Sequence, residues 1–216
     1  MTAPLPLSDD GLGRLAEFDV VPLVGISDPG TVDAIADGLV AGGLPVAEVA
    51  LRGEHGLAGI ARMASRGDVL VGAGTVLSVD QAREALDAGA SFVVTPGLDV
   101  EVVRYVRDAG IPIVPGVLTP TEVQAARREG LRRLKLFPAG VFGGLKVLSA
   151  YADVFRDMRF MPSGGISQAN LAEHLTHPAV FAASGSWITS SGDAEQIAAA
   201  ARAAVATGLE ARGAAA

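Results

Sequence analysis

Lysine is rare in this chain, and one of its two lysines stands in an apolar run. Lys135 and Lys146 are the only lysines among 17 basic residues, and residues 134–138 read LKLFP. Among basic side chains only lysine readily loses its proton when desolvated, and the uncharged amine attacks a ketone or aldehyde to form a Schiff base. Lys135 is therefore the leading candidate nucleophile. The alternative is a lysine at a strand end that reaches out to water.

An acidic and a basic residue share one face of another predicted strand. Residues 46–52 read VAEVALR, so alternation places Glu48, Ala50 and Arg52 on the same side. A glutamate inside a closed sheet can act as a general acid and base, and an arginine can grip a carboxylate or phosphate with two hydrogen bonds. We predict that Glu48 and Arg52 belong to a site. A structural ion pair is the alternative.

Three other predicted strands end in small residues and proline. The sequence reads GAGT at residues 72–75, TPG at residues 95–97 and PGV at residues 115–117. Glycine lets a backbone approach a ligand closely and Thr75 adds a hydroxyl, but a tight turn between strand and helix uses the same residues. We interpret the segments at Pro96 and Pro115 as walls of a site rather than as catalytic groups.

Two consecutive glycine-rich segments end the last two predicted strands. Residues 162–167 read PSGGIS and residues 183–187 read ASGSW, and each leads into a predicted helical turn. In barrels of alternating strands and helices, the loops after the last two strands commonly donate backbone N–H groups to a phosphate, and a helix N-terminus adds its dipole. The pair therefore predicts a phosphate site, with ordinary turns as the alternative. Lys146, in a short predicted helix, is expected to be exposed.

Composition and charge argue against several other classes of function. The formal net charge is −7 and the pI is near 4.9, so no basic face offers itself to a nucleic-acid backbone. The absence of cysteine excludes disulfide and thiolate chemistry and fits a cytoplasmic protein. The three histidines, His55, His174 and His177, lie away from predicted strand ends. We therefore expect no metal and no nucleic-acid partner.

The elements that must position these residues alternate along the chain. The predicted strands cover residues 20–24, 46–51, 69–72, 92–95, 113–115, 134–137, 159–162 and 180–183. The predicted helices cover residues 31–41, 56–65, 79–88, 100–109, 120–129, 144–150, 168–174 and 194–207. Such units close most simply as an α/β (β/α)8 TIM barrel, in which the strand ends share one mouth, although an open doubly wound sheet fits the pattern too.

The chain length of 216 residues fits a single domain. We predict an N-terminal extension at residues 1–17 with a short helix, a barrel at residues 18–210 and a frayed tail at residues 211–216. No apolar run has the length of a membrane span, and residues 1–10 do not resemble a secretion signal. We therefore expect a cytoplasmic protein without a membrane partner.

These positions together resemble the 2-dehydro-3-deoxy-phosphogluconate (KDPG) and 4-hydroxy-2-oxoglutarate (KHG) aldolases, a family of Schiff-base-forming barrels. The resemblance runs from about residue 20 to residue 205 and is highly specific in order and spacing. Its motifs are EVALR at 48–52, GAGTV at 72–76, TPG at 95–97, PGVLTPTE at 115–122, KLFPA at 135–139, PSGGI at 162–166 and GSW at 185–187.

The resemblance implies a class I aldolase that needs no cofactor, because Lys135 forms a covalent imine with the C2 ketone while Glu48 moves protons. The implied reaction cleaves 2-dehydro-3-deoxy-6-phosphogluconate, a 2-keto-3-deoxy sugar acid phosphate, reversibly into pyruvate and glyceraldehyde 3-phosphate. The implied binding residues are Arg52 and Thr75 for the pyruvate carboxylate, Pro96 and Phe137 for the walls, and Gly164, Gly165 and Ser186 for the phosphate. Family members are typically homotrimers, which implies the same assembly here.

Three residues depart from the pattern common in that family. Ala50 and Ser163 stand where threonine is frequent, and Gly140 stands where glutamate is usual. None removes an implied catalytic group, but substrate preference stays open. 4-Hydroxy-2-oxoglutarate and the galactonate epimer are alternative substrates. A noncatalytic phosphosugar-binding barrel would not need an interior lysine and glutamate, and a phosphosugar isomerase or epimerase would not need the amine.

Overall fold

A computed structural model describes residues 12–191 and 193–214, where strands and helices alternate in an α/β arrangement. The strands are β1 Val20–Val24, β2 Val46–Ala50, β3 Leu70–Gly74, β4 Val93–Val94, β5 Ile113–Val114, β6 Gly116–Val117, β7 Arg133–Leu136, β8 Arg159–Pro162 and β9 Ala183–Gly185. The helices are α1 Val32–Ala41, α2 Gly56–Arg66, α3 Val79–Asp87, α4 Val100–Asp108, α5 Pro120–Arg128, α6 Gly144–Val154, α7 Leu171–Leu175 and α8 Ala194–Ala214.

The strands pair in parallel and form two adjoining, curled sheets. One has the order β5-β4-β3-β2-β1-β9 and the other the order β6-β7-β8. They adjoin at Pro115, which alone separates β5 from β6 and whose carbonyl accepts a hydrogen bond of 2.9 Å from the N–H of Lys135. Near β9, isolated parallel bridges join Phe160 to Val180 and Ser163 to Ser184. The strand ends are thereby gathered at one side of the curled sheet.

Side-chain caps set where several helices begin. The side chain of Ser78 accepts a hydrogen bond from the N–H of Gln81 at the start of α3. Thr119 and Glu122 form a reciprocal capping box at the start of α5, as the sequence TPTE predicts. Gly89, Gly110 and Gly130 follow α3, α4 and α5 in the left-handed conformation, which glycine adopts without steric cost.

The sheet is covered on its outer side by helices and is buried along most of its length. Every residue of β2 is buried, which fits a parallel strand packed on both faces. Helix α1 approaches α8 so closely that a Cβ on Gly38 would lie 2.7 Å from the Cβ of Ile197. None of the helices in the described parts of the chain is long and apolar enough to cross a membrane.

Three predicted segments differ from the structure near the strand ends. Residues 116–117, predicted as part of a wall, form the short strand β6 beside Lys135. The last strand was predicted at residues 180–183 but lies at Ala183–Gly185, because Val180 makes only an isolated bridge to Phe160. Helix α7 begins at Leu171 rather than residue 168, since Asn170 Oδ1 accepts a hydrogen bond from the N–H of Ser167 and holds a turn there.

The predicted frayed tail at residues 211–216 is wrong within the described part of the chain. Helix α8 continues to Ala214, and Ala211 is buried against the core. Arg212 explains the extension, because it donates to Asp19 Oδ1 at 2.8 Å and to the carbonyl of Phe181 at 2.6 Å. At the other end Gly13–Glu17 forms one 3-10 turn. The rest of the predicted N-terminal extension, residues 1–11, and residues 215–216 lie outside the described residues.

Candidate active site

Lys135 and Glu48 meet inside the curled sheet, although 87 residues separate them along the chain. Nζ of Lys135, on β7, donates to Oε1 of Glu48, on β2, at 2.9 Å. Lys135 is 5% exposed and Glu48 is 0% exposed, so the lysine does not reach out to water. Buried charges persist only when they are paired and hydrogen-bonded, and each group here supplies that partner for the other.

Strand alternation explains why the lysine points inward. Leu134 and Leu136, its neighbours on β7, are fully buried on the opposite face, as the sequence pattern predicts. Lys135 lies in register with Gly116 of β6 and Met161 of β8. The backbone of Lys135 is therefore held from both sides by strand pairing, and the hydrogen bond to Glu48 places Nζ.

The two glycines of the GAGT segment make room for side chains of the protein. A Cβ on Gly74 would lie 2.5 Å from Oε1 of Glu48, and a Cβ on Gly72 would lie 2.4 Å from the ring of Phe92. Neither distance is tolerable for a real Cβ atom. Gly74 thus creates the space in which the Glu48 carboxylate lies, and Gly72 makes room for the Phe92 ring, roles that the sequence interpretation missed.

Ser184 is a second contact of Glu48 that the sequence interpretation missed. Its Oγ donates to Oε2 of Glu48 at 3.1 Å, and the serine is completely buried on β9. The available signal was a polar residue inside a buried, mostly apolar strand, the same signal that singled out Lys135. The predicted alternative of an ion pair between Glu48 and Arg52 is wrong, because among the described residues the Glu48 carboxylate contacts Lys135 and Ser184 instead.

A cavity of about 370 Å³ opens at the carboxyl ends of the strands, next to the Lys135 amine. Its lining residues are Leu23, Arg52, Thr75, Pro96, Lys135, Phe137, Ser163, Gly164, Gly165, Ile166, Gly185 and Ser186. Arg52 is exposed and has no carboxylate partner within the described residues, so its guanidinium is available to an anionic ligand. The ring centroid of Phe137 lies 5.6 Å from Nζ of Lys135.

Thr75 adopts a backbone conformation that is rare for its residue type. Its φ is +60°, in the left-handed region that a β-branched side chain seldom enters. Such strain persists only where the surrounding structure enforces it, and it is common at functional sites. Thr75 follows β3 directly and lines the cavity, so the strained residue lies where the sequence predicts a binding group.

Two loops bring unpaired backbone N–H groups to the cavity. Gly164 and Gly165 have φ of +83° and +91°, which only glycine adopts easily. Their carbonyls accept hydrogen bonds from the N–H of Gly140 and the side chain of Asn170, while the N–H groups of Gly164, Gly165 and Ser186 donate to no described residue. Since α7 is only five residues long, the predicted phosphate site depends on these amides rather than on a helix dipole.

The family-level identity follows from comparison with known proteins. The family model described as KDPG and KHG aldolase matches residues 13–203. This chain belongs to that family. The 2-dehydro-3-deoxy-phosphogluconate aldolase of Pseudomonas aeruginosa is 43% identical over 173 residues, 80% of this chain and 79% of the relative. The KHG/KDPG aldolase of Escherichia coli K12 is 39% identical over 170 residues, 78% of this chain and 80% of the relative.

Solved structures of the family share the same architecture. The 2-keto-3-deoxy-6-phosphogluconate aldolase of Zymomonas mobilis ZM4, solved with 3-phosphoglycerate, has a TM-score of 0.86 at 36% identity and covers 95% of this chain and 97% of its own. The KDPG aldolase of Legionella pneumophila was solved with pyruvate captured as a covalent carbinolamine intermediate. Its TM-score is 0.86 at 31% identity, and the match covers 91% of this chain and 98% of its own. The resemblance stated from the sequence is therefore confirmed.

The residues predicted for an aldolase site lie together in this family member. Eight of them line the cavity, and Glu48 lies behind Lys135 within hydrogen-bond distance. Ala50 and Ser163, two of the departures from the family pattern, are both buried, and Ser163 lines the cavity. The third departure, Gly140, donates its N–H to the carbonyl of Gly164 at 2.7 Å and so supports the glycine loop.

The histidine pair lies outside this aldolase cavity. His174 Nδ1 is 2.9 Å from the carbonyl of Asn170, and His177 Nε2 is 3.2 Å from Ser149 Oγ. Burial lowers the pKa of His177, and nearby His174 adds a smaller effect in the same direction. Among the described residues no group of three or more potential metal-ligating side chains comes together. Both histidines thus have structural partners at the end of α7.

Proposed function

We propose that this protein is a class I aldolase that cleaves 2-dehydro-3-deoxy-6-phosphogluconate reversibly into pyruvate and glyceraldehyde 3-phosphate. The observation that carries the proposal is the buried amine of Lys135, hydrogen-bonded to Glu48 and open to a cavity at the strand ends. Family membership supports the reaction type. The relatives named as KDPG aldolases, and the family structure that captures pyruvate covalently, support the substrate class.

The 2.9 Å hydrogen bond between Lys135 and Glu48 provides the first proton transfer. When the lysine proton passes to the carboxylate, the neutral amine attacks the C2 ketone and forms a carbinolamine. Glu48 then returns the proton to the hydroxyl group that leaves as water, and an iminium ion remains on Nζ. No other titratable side chain is needed for this stage.

Cleavage uses the iminium ion as the acceptor of an electron pair. Glu48, again ionised, takes the proton of the C4 hydroxyl, and the C3–C4 bond breaks to release glyceraldehyde 3-phosphate. The electron pair of that bond passes to C3 and the iminium nitrogen, which leaves an enamine of pyruvate. Protonation at C3 and addition of water then release pyruvate and restore the amine.

The cavity residues divide into a cationic side and a neutral side. We assign Arg52, with Thr75, to the substrate carboxylate, because a free guanidinium matches a carboxylate in charge and geometry. We assign the phosphate to the N–H groups of Gly164, Gly165 and Ser186, which are unpaired in the described structure. Pro96 and Phe137 form apolar walls between the two ends.

We also propose that the curled sheet closes as a (β/α)8 barrel, with β5 and β6 counted as one strand, and that three copies assemble. The bridges of Phe160 to Val180 and of Ser163 to Ser184 support closure. The exposed apolar side chains of Val141 and Phe142, beside the glycine loop, are available for subunit contacts. Light scattering after size exclusion tests the assembly, since a trimer has three times the chain mass of 21.9 kDa.

Borohydride reduction in the presence of pyruvate tests the Schiff base directly. Reduction converts the imine into a stable secondary amine, so peptide mapping is expected to find the added mass on the peptide that contains Lys135. Lys146 is an internal control, because it is exposed on α6 and is not among the residues that line the cavity. A label on Lys146 alone, or no label at all, contradicts the proposed mechanism.

The phosphate assignment is tested by removing the phosphate from the substrate. We expect kcat/KM for the phosphorylated acid to exceed that of the dephosphorylated acid at least about 10-fold, because hydrogen bonds to a charged group are lost. The E. coli relative carries both the KHG and the KDPG activities in its name, which makes 4-hydroxy-2-oxoglutarate the second candidate substrate. Equal efficiency on both acids would remove the phosphate assignment and favour that second candidate.

A further inference from the structure

We propose that Ser184 is a positioning residue of this site, which holds Oε2 of Glu48 in place so that Oε1 alone exchanges protons with Lys135 and the substrate. The inference rests on the proposed Schiff-base function and deepens it. Ser184 is completely buried and does not line the cavity, so it acts on the reaction through Glu48 and not by touching the substrate.

The Glu48 carboxylate is restrained from three directions. Lys135 Nζ donates to Oε1 at 2.9 Å and Ser184 Oγ donates to Oε2 at 3.1 Å. Behind the group lies Gly74, whose missing Cβ would come within 2.5 Å of Oε1. The last torsion of a glutamate has broad, nearly two-fold minima, so an unrestrained carboxylate would exchange its two oxygens freely. The serine hydroxyl makes the two oxygens different.

Ser184 is the restraint that survives the reaction. The lysine gives up its protons and becomes an imine, so its hydrogen bond to Oε1 changes at every step. The hydroxyl of Ser184 undergoes no such change. Its backbone is also fixed on two sides, by pairing with Val21 of β1 and by the bridge to Ser163. The Glu48 carboxylate can therefore pivot about Oε2, which stays hydrogen-bonded to Ser184, and bring Oε1 to the amine or to the substrate.

Loss of the hydroxyl is expected to impair turnover more than binding. In Ser184→Ala, Oε2 loses its donor while buried, and the carboxylate gains by turning both oxygens towards the lysine ammonium. That arrangement holds the amine in its protonated, unreactive form. The cavity lining, which binds the substrate, is unchanged by the substitution.

Exchange of the pyruvate methyl protons with deuterium oxide, followed by NMR, tests the proposal without the phosphorylated substrate. We expect the maximal exchange rate of Ser184→Ala to fall roughly 10-fold to 100-fold, with half-saturation by pyruvate changed less than about two-fold. Ser184→Cys keeps nearly the same volume with a weak donor and is expected to fall similarly. If the alanine variant does not fold, the cysteine variant provides the test. Thermal unfolding shows whether each variant is folded.

A double-mutant cycle separates positioning from a merely structural role. Glu48→Gln replaces the carboxylate by an amide that shuttles no proton, and its residual exchange can be measured at high enzyme concentration. If Ser184 acts through Glu48, adding Ser184→Ala to this variant lowers the rate no further. An equal further loss in that background, or full exchange by Ser184→Ala or Ser184→Cys alone, overturns the proposal.

The same assay distinguishes failure of this inference from failure of the proposed substrate. If the wild-type protein exchanges pyruvate protons but does not cleave the phosphorylated acid, the substrate assignment is wrong and the Ser184 comparison still decides the inference. If the wild-type protein neither exchanges pyruvate protons nor forms a borohydride adduct, Schiff-base chemistry is absent, and both proposals are overturned.

Discussion

Two clusters of oppositely charged side chains in this protein lie in opposite surroundings. Inside the sheet, one lysine and one glutamate pair with almost no access to solvent. On the outer surface, Arg66 contacts Asp33, Asp37 and Asp68 at 3.5, 2.6 and 2.9 Å, and all three carboxylates are substantially exposed. The surface cluster has three anions and two cations, because Arg62 also contacts Asp33 at 2.9 Å, so we expect it to tolerate the loss of any one partner. The interior pair has no substitute.

The choice of cation matches the surroundings. Arginine stays charged under all relevant conditions, and its planar fork can bind several carboxylates at once, which suits a cluster that links α1 to the residues after α2. Lysine carries a single charge that it can surrender, which suits a group that must become a nucleophile. The depth of burial therefore separates a charge pair that joins helices from one that can do chemistry.

The largest expected effect comes from replacing the interior lysine by arginine, the cation of the surface cluster. Lys135→Arg retains a positive charge and a hydrogen bond to Glu48, but arginine cannot give up its proton to form an imine. We expect kcat to fall by about four orders of magnitude or more, as for loss of a catalytic nucleophile. Steady-state release of pyruvate measures the change.

The matched control is Lys146→Arg, which makes the same substitution on the exposed face of α6. We expect its kcat to stay within about two-fold of the wild type, because surface substitutions away from special features have small effects. Turnover by Lys135→Arg at more than a trace of the wild-type rate would show that the interior amine is not the nucleophile.

A second experiment breaks the interior pair and measures stability. Glu48→Ala leaves a buried ammonium without its partner, and we expect the free energy of unfolding to fall by about 3–5 kcal/mol. Urea unfolding measures it. The double variant Glu48→Ala with Lys135→Met removes both charges and is expected to regain most of that loss, since apolar replacement of a buried ion pair is often neutral. A double variant as unstable as the single one would assign the loss to packing.

The sequence predicted the interior pair better than its surroundings. A lysine in an apolar strand and a glutamate on another strand are local anomalies, and both lie where alternation puts them. The contacts of Ser184 and Gly74 with Glu48 arise from strand neighbours far away along the chain, and only the sheet register brings them together. A pattern within one segment cannot reveal a neighbour that another segment supplies.

Helix boundaries show the same division between local and distant causes. The start of α5 follows from the capping box at Thr119 and Glu122, whose partners lie three residues apart. The end of α8 depends instead on Arg212, which reaches back to Asp19 across 193 residues. The prediction of a frayed tail rests on its position at the chain end, whereas the ion pair that orders it is a tertiary contact.

The smallest expected effect is the loss of stability when Arg66 is removed from the surface cluster. The pKa values of the carboxylates decide how this loss depends on pH. A hydrogen bond from Arg62 lowers the pKa of Asp33, and a hydrogen bond from Arg66 lowers the pKa of Asp68. Carboxylates whose pKa is lower in the folded state contribute stability above their unfolded pKa and lose it as the pH falls through the folded pKa. Arg66→Gln should therefore destabilise the protein slightly at neutral pH and make no difference in strong acid.

Measuring the same variants at high salt tests this last prediction further, because salt screens exposed charge pairs much more than a buried pair. The difference in unfolding free energy between wild type and Arg66→Gln should shrink in high salt, whereas the loss in Glu48→Ala should persist. Arg156→Gln is the matched control, since Arg156 is exposed and has no carboxylate partner within the described residues. An Arg66 effect that is equal at neutral and acidic pH would mean that the side chain stabilises α2 by packing rather than by its charge.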